Sequence, residues 1–131
     1  MNPTLRITVT AAAVVALTAG ALPAGIAQAK GNRNDVRVTG DCSARTDWKL
    51  KAKARDGGLE IEFEVDSNRI GQRWSYRLDH DGNTIGQGTR RTLAPSGSFS
   101  VERRSSGSTG VVTGRAENLR NGEVCLATLR V

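Results

Sequence analysis

A chain of 131 residues with 19 Lys and Arg against 13 Asp and Glu is basic, and too short for two ordinary domains or an elaborate catalytic fold. It is 37% hydrophobic overall, but the apolar residues are front-loaded: 18 precede Lys30, and the 102 residues from Lys30 onward hold only 31. Leu, Ile, Val and Phe make up 20 of those 102, at the edge of the range where chains stay disordered, and none of their stretches is long enough to span a bilayer.

Residues 1–10 carry a single charge, Arg6; residues 11–22 are an uncharged apolar run; and Ala27-Gln28-Ala29 fits a small-x-small cleavage pattern. A run of 12 residues is too short for a bilayer helix, which needs roughly 20. Residues 1–29 are therefore expected to be a cleaved signal peptide with a short signal helix. Lys30, not a Cys, stands immediately after the cleavage pattern, no twin-Arg pair precedes the run, and Ala127-Thr128-Leu129-Arg130-Val131 is no apolar tail. The expectation is a soluble, secreted protein without a membrane anchor. From Lys30 on, 18 basic residues face all 13 acidic ones, a net charge of +5. Residues 30–35 are expected to be a flexible N-terminus, and residues 36–131 one domain.

Two cysteines, Cys42 and Cys125, fall in that domain. In an oxidising compartment an even pair implies one disulfide. Their spacing suits no zinc motif, and neither has a CxxC partner or a paired His. A bridge closing 84 residues stabilises by about 4.5 kcal/mol in the chain-entropy account.

The remainder alternates. After a short candidate edge strand at Val36-Arg37-Val38, Trp48, Leu50, Ala52 and Ala54 share one face; after the turn Asp56-Gly57-Gly58, Leu59, Ile61, Phe63 and Val65 share another. With Arg55 opposite Glu60, Lys53, Lys51 and Lys49 face Glu62, Glu64 and Asp66, so one register serves the apolar and the charged face together. Trp74, Tyr76 and Leu78 point inward on the next strand, and Asp81-Gly82 predicts a hairpin with His80 opposite Asn83 and Leu78 opposite Ile85. Residues 84–92 form a weak strand and residues 98–102 a clear one; residues 103–110 are expected to be a mobile Ser/Gly loop. Asn121-Gly122 predicts a last hairpin with Arg120 opposite Glu123, Ala116 opposite Ala127 and Val112 opposite Val131. All five aromatics, Trp48, Phe63, Trp74, Tyr76 and Phe99, take inward positions. Seven or eight short strands predict an all-β fold: one small antiparallel β-sandwich, immunoglobulin-like in the loose sense, with a small β-barrel as the alternative.

Asp41-Cys42-Ser43, the Trp-Lys-Leu-Lys-Ala run from Trp48, the segment from Asp56 to Asp66 and Asn121-Gly122-Glu123-Val124-Cys125 resemble small exported actinobacterial proteins of uncharacterised function with an immunoglobulin-like sandwich. The Arg:Lys ratio of 15:4 suits a GC-rich genome. The resemblance implies export and fold, and transfers no activity and no site residue.

Chemistry-bearing patterns are few. His80, the only His, lies beside a tight turn and is expected to be an exposed turn residue. Asp79, Asp81 and Asn83 alternate like calcium ligands but run straight into a strand. Glu60 and Glu62 have basic neighbours that hold carboxylates ionised, which is wrong for a general acid. Gly86-Gln87-Gly88 lacks a following helix. No catalytic residue, cofactor or metal is therefore expected. The basic surplus remains: Arg90, Arg91, Arg103, Arg104, Arg115, Arg120 and Arg130 have few acidic neighbours, the first four being candidate polyanion contacts, and Arg69, Arg73 and Arg77 flank the acidic stripe as a third charged strand. Specific nucleic-acid binding is not expected, because no aromatic is left for stacking. The expected function is a non-enzymatic, monomeric binding or structural module of the cell envelope or extracellular space, its partner a protein or an envelope polyanion. The alternative is a secreted proteinaceous enzyme inhibitor.

Overall fold

The alternation becomes eight strands in a computed structural model that describes residues 35–131. They are β1 (Asp35–Asp41), β2 (Asp47–Arg55), β3 (Gly58–Asp66), β4 (Arg73–His80), β5 (Asn83–Arg91), β6 (Ser98–Ser106), β7 (Val111–Asn118) and β8 (Val124–Arg130). The expected signal peptide and residues 30–34 lie outside the described residues. Asp35, expected to be flexible, instead starts β1 and pairs with Lys53.

The fold is all-β, with two four-stranded antiparallel sheets in the orders β1-β2-β3-β6 and β5-β4-β7-β8. The chain changes sheet after β3, β5 and β6. One core cluster draws on both sheets, and it contains all five aromatics. Where they meet, Gly114 leaves room for the Phe63 ring, which a Cβ there would touch. This is the expected β-sandwich, its thin apolar inventory spent on single faces.

Three registers differ from expectation. Arg55 pairs with Gly58, so Lys53, Lys51 and Lys49 face Glu60, Glu62 and Glu64, and Leu50 faces Phe63. The two-residue turn Asp56-Gly57 causes the shift: both residues have positive φ, the hairpin geometry whose twist matches that of the strands. In the last hairpin, Ala116 pairs with Cys125 and Val112 with Leu129, because the loop has four residues between Asn118 and Glu123. His80 does face Asn83, but a bulge between Leu78 and Asp79 sets Leu78 opposite Gly86. β6 also runs on through Ser106, which reduces the expected mobile loop of 103–110 to residues 107–110.

The strand directions give the molecule two unlike poles. At one lie the two-residue turns at 56–57 and 81–82 and the short connection 107–110. At the other lie the four longer loops, 42–46, 67–72, 92–97 and 119–122. The disulfide Cys42–Cys125 crosses between the sheets at this loop pole. Beside it, the buried Glu123 carboxylate accepts hydrogen bonds from Ala44 N, Thr46 N and Thr46 Oγ1 at 3.0, 3.0 and 2.7 Å. Ser43 N donates to Val124 O, and Val124 N to Ser43 Oγ. The β1–β2 loop is thereby fixed to the start of β8.

Reducing the disulfide is expected to remove about 2–4 kcal/mol, seen as a drop in the midpoint of thermal unfolding. In the oxidised protein Glu123→Ala leaves three donors without their acceptor and is expected to cost about 3 kcal/mol. Unchanged midpoints in either experiment would mean that this tie is idle.

Candidate functional site

Charge is distributed unevenly over the surface. The outer face of the first sheet is nearly self-neutralising. Lys49 pairs with Glu64 at 3.4 Å, Lys51 with Glu62 at 3.5 Å, and Glu60 receives both Arg55 at 3.7 Å and Arg104 at 3.1 Å. A groove of about 490 Å³ runs over this face, and its cations and carboxylates alternate. The third charged strand beside β3 is β6. The expected one, bearing Arg73 and Arg77, is β4 in the other sheet.

The four candidate polyanion contacts do not form one site. Arg104 is in the Glu60 pair. Arg103 is wedged between the sheets, donating to Tyr76 Oη at 2.8 Å and lying where a Cβ on Gly86 would sit. Arg90 stacks its guanidinium over the Tyr76 ring, 5.3 Å from the centroid. Arg91 alone reaches the loop pole, donating to Gly71 O at 3.3 Å. Neighbours in a strand sequence point to opposite faces, so two Arg-Arg pairs are scattered over several places. Arg115, expected to have few acidic neighbours, pairs with Glu117 at 2.9 Å, as Arg77 does with Asp79.

The concentration of unneutralised charge lies at the loop pole instead. Arg69, Arg73, Arg91 and Arg120 surround a concavity of about 820 Å³, together with Ile70, Gly71, Gln72, Asn118, Leu119 and Asn121. No carboxylate lines it, and among the described residues none of the four arginines makes an ion pair. Arg73 and Arg91 are directly opposite each other on neighbouring strands. Like charges in that position destabilise a sheet. Arg77 and Arg115 are also opposite each other, but each has its own acid two residues away.

The loops that carry these side chains are held from beneath. Among the described residues, five polar or charged ones are buried: Thr46, His80, Thr92, Asn118 and Glu123. Four of them shape the loop pole. Thr92 exchanges backbone hydrogen bonds with Gly71 and Gln72, and its hydroxyl accepts from Gln72 N and donates to Arg69 O. Asn118 Oδ1 accepts from Arg120 N and Asn121 N at 2.9 and 3.2 Å. Thr46 and Glu123 form the tie described above. Gly97, with φ 75°, packs so closely on the Asn68–Arg69 backbone that a Cβ has no room there. Satisfied buried networks of this kind fix one conformation.

His80 is the fifth buried polar residue, 5% exposed, and not the expected exposed turn residue. It continues the inward alternation of Trp74, Tyr76 and Leu78. Nε2 contacts Thr109 O at 2.8 Å and Nδ1 contacts Ser105 Oγ at 2.6 Å. With a carbonyl at Nε2, the neutral ring carries its proton there, and Nδ1 accepts from Ser105. The pair pins residues 107–110, and neither the groove nor the loop-pole concavity includes it.

A second uncompensated row lies on the rim of the first sheet, where Asp41 and Asp66 are both register partners of Asp47. A hydrogen bond shared with Asp41 holds the Asp47 carboxyl above its ordinary pKa; desolvation and the charges of Asp41, Asp66 and Glu123 add to this.

Comparison with protein-family models, curated proteins and solved structures finds no match to this chain. The loop-pole arginines were visible in the sequence only as scattered residues. In the structure Arg69, Ile70, Leu119 and Arg120 fall between strands, whereas the alternation assigns Arg69 to a charged strand and Arg120 to a hairpin pair with Glu123.

A carboxyl that binds its proton more tightly when folded stabilises the fold at low pH and loses that contribution as pH rises through its raised value. At neutral pH the aspartate row repels. Asp47→Asn is therefore expected to raise the unfolding midpoint at about pH 7 and to leave it unchanged near pH 3, where the wild-type carboxyl is protonated. An equal change at both values would remove the repulsion from the account.

Proposed function

We propose that the chain is a non-enzymatic, secreted binding module of the cell envelope or extracellular space, an immunoglobulin-like sandwich in the loose sense, which holds an anionic partner at its loop pole. The export pattern of residues 1–29 supports secretion, and the disulfide suits an oxidising compartment. The observation that carries the reading is the Arg73–Arg91 pair within a concavity lined by four arginines and no carboxylate. In the other facing arginine pair, Arg77 and Arg115, each member has an acid beside it. Here the fold bears the repulsion, and buried polar groups that shape loops lie beneath it. An anion seated among the four guanidiniums offsets that repulsion through bidentate hydrogen bonds.

A second reading, a secreted enzyme inhibitor, is supported by the place of the disulfide, which braces loop 42–46 at this same pole. Inhibitors present rigid contact loops to a target. Micromolar protein added to secreted proteases and glycosidases separates the two readings, since a module of the first kind inhibits none of them.

The main test is retention of the disulfide-intact protein on cell-envelope extract at low and high salt. Binding at low salt and release at high salt is expected, because exposed charges are screened over about 10 Å at 0.1 M. Arg91→Glu places a carboxylate opposite Arg73. It is expected to abolish retention while making the fold more stable by about 0.2–1 kcal/mol. Retention equal to wild type in this variant, or none by wild type at low salt, would sink the proposal.

A further inference from the structure

We infer that the loop pole docks a protein segment that is both acidic and aliphatic, rather than a bare polyanion. The inference rests on the reading of the domain as a binding module and specifies its partner. Among the described residues four large apolar ones are more than half exposed, and three of them stand on loops of this one pole: Ile70 at 63%, Leu93 at 61% and Leu119 at 53%. Ile70 and Leu119 line the arginine concavity itself. Each is next in sequence to one of its arginines, Arg69 and Arg120.

The chemistry of the surface selects among anions. Polyphosphate and acidic polysaccharide meet guanidinium groups well but gain nothing from aliphatic side chains. Nucleic acids gain most from aromatic platforms, and all five aromatics here are buried. A protein segment with carboxylates around an apolar centre uses both parts of the surface: Arg is enriched at protein interfaces, and their fully buried centre is more apolar than the rim. The loop backbones are already set by Thr92 and Asn118, so docking does not first have to order them. The acidic row of Asp41, Asp47 and Asp66 stands at the loop-pole ends of β1, β2 and β3 in the other sheet, and none of the three lines the concavity.

The test uses the oxidised protein and three labelled probes of matched charge at low salt. These are a glutamate-rich peptide with leucine at every fourth position, the same peptide with serine replacing leucine, and inorganic polyphosphate. The leucine peptide is expected to bind about tenfold more tightly than the serine peptide, the factor for burying one aliphatic side chain. The double variant Ile70→Ser/Leu119→Ser, with an unchanged unfolding midpoint, is expected to erase that preference and keep the weaker binding common to all probes. If the serine peptide or polyphosphate binds as tightly as the leucine peptide, or the double variant keeps the preference, the inference fails while the anion-binding module stands. If none of the three probes binds, both fail.

Discussion

The cross-sheet tie at the loop pole is the constraint on which the rest depends. A sandwich with so few Leu, Ile, Val and Phe has little apolar area with which to hold two sheets together. Core side chains from both sheets supply the cohesion, but they do not fix the loop that follows β1. Cys42–Cys125 and the Glu123 carboxylate do, joining loop 42–46 to the start of β8 through one covalent bond and several hydrogen bonds. Glu123 also closes the loop that presents Leu119 and Arg120, since its backbone pairs with Asn118. The same residue thus braces the fold and sets the shape of the candidate surface.

Much of the architecture was legible because the β-period is so plain. Trp48 to Ala54 and Leu59 to Val65 could form nothing but half-buried strands, and the cysteine pair had only one sensible use. The register was not legible, for a specific reason. Lys and Glu recur every second residue on β2 and β3, so sliding the strands by two residues keeps Lys49, Lys51 and Lys53 opposite carboxylates and every apolar residue inside. Only the turn breaks that degeneracy, through the positive φ of Asp56 and Gly57. Asn121-Gly122 misled differently. The dipeptide closes a four-residue loop whose conformation is set by the buried Asn118 amide rather than by the dipeptide alone. The candidate surface was hidden because it is assembled from loops distant in sequence. No local pattern shows that Arg73 and Arg91 will face each other, or that β4 belongs to the second sheet.

The surface charges fall into two kinds. On the first sheet, cations and carboxylates satisfy one another across strands, each exposed pair worth about 0.2–1 kcal/mol. At the loop pole the arginines go without. Such a patch costs stability. The loops that carry it are shaped by buried Thr46, Thr92, Asn118 and Glu123. Tyr76 shows the opposite use of Arg: the guanidiniums of Arg90 and Arg103 cover its face and its hydroxyl, blunting an edge where Gly86 and Gly88 of β5 stand opposite Leu78 and Tyr76.

The course of the outermost strands has a practical geometric result. β1 begins, and β8 ends, at the pole of tight turns; Val131 exchanges backbone hydrogen bonds with Gly110 there. The domain is therefore held by its stem, with the arginine loops as its head. A tether, label or neighbouring module joined at either end of the strand array points away from the docking loops. The head stays unobstructed however the stem is mounted, and a sensor chip or bead coupled through Val131 presents it outward.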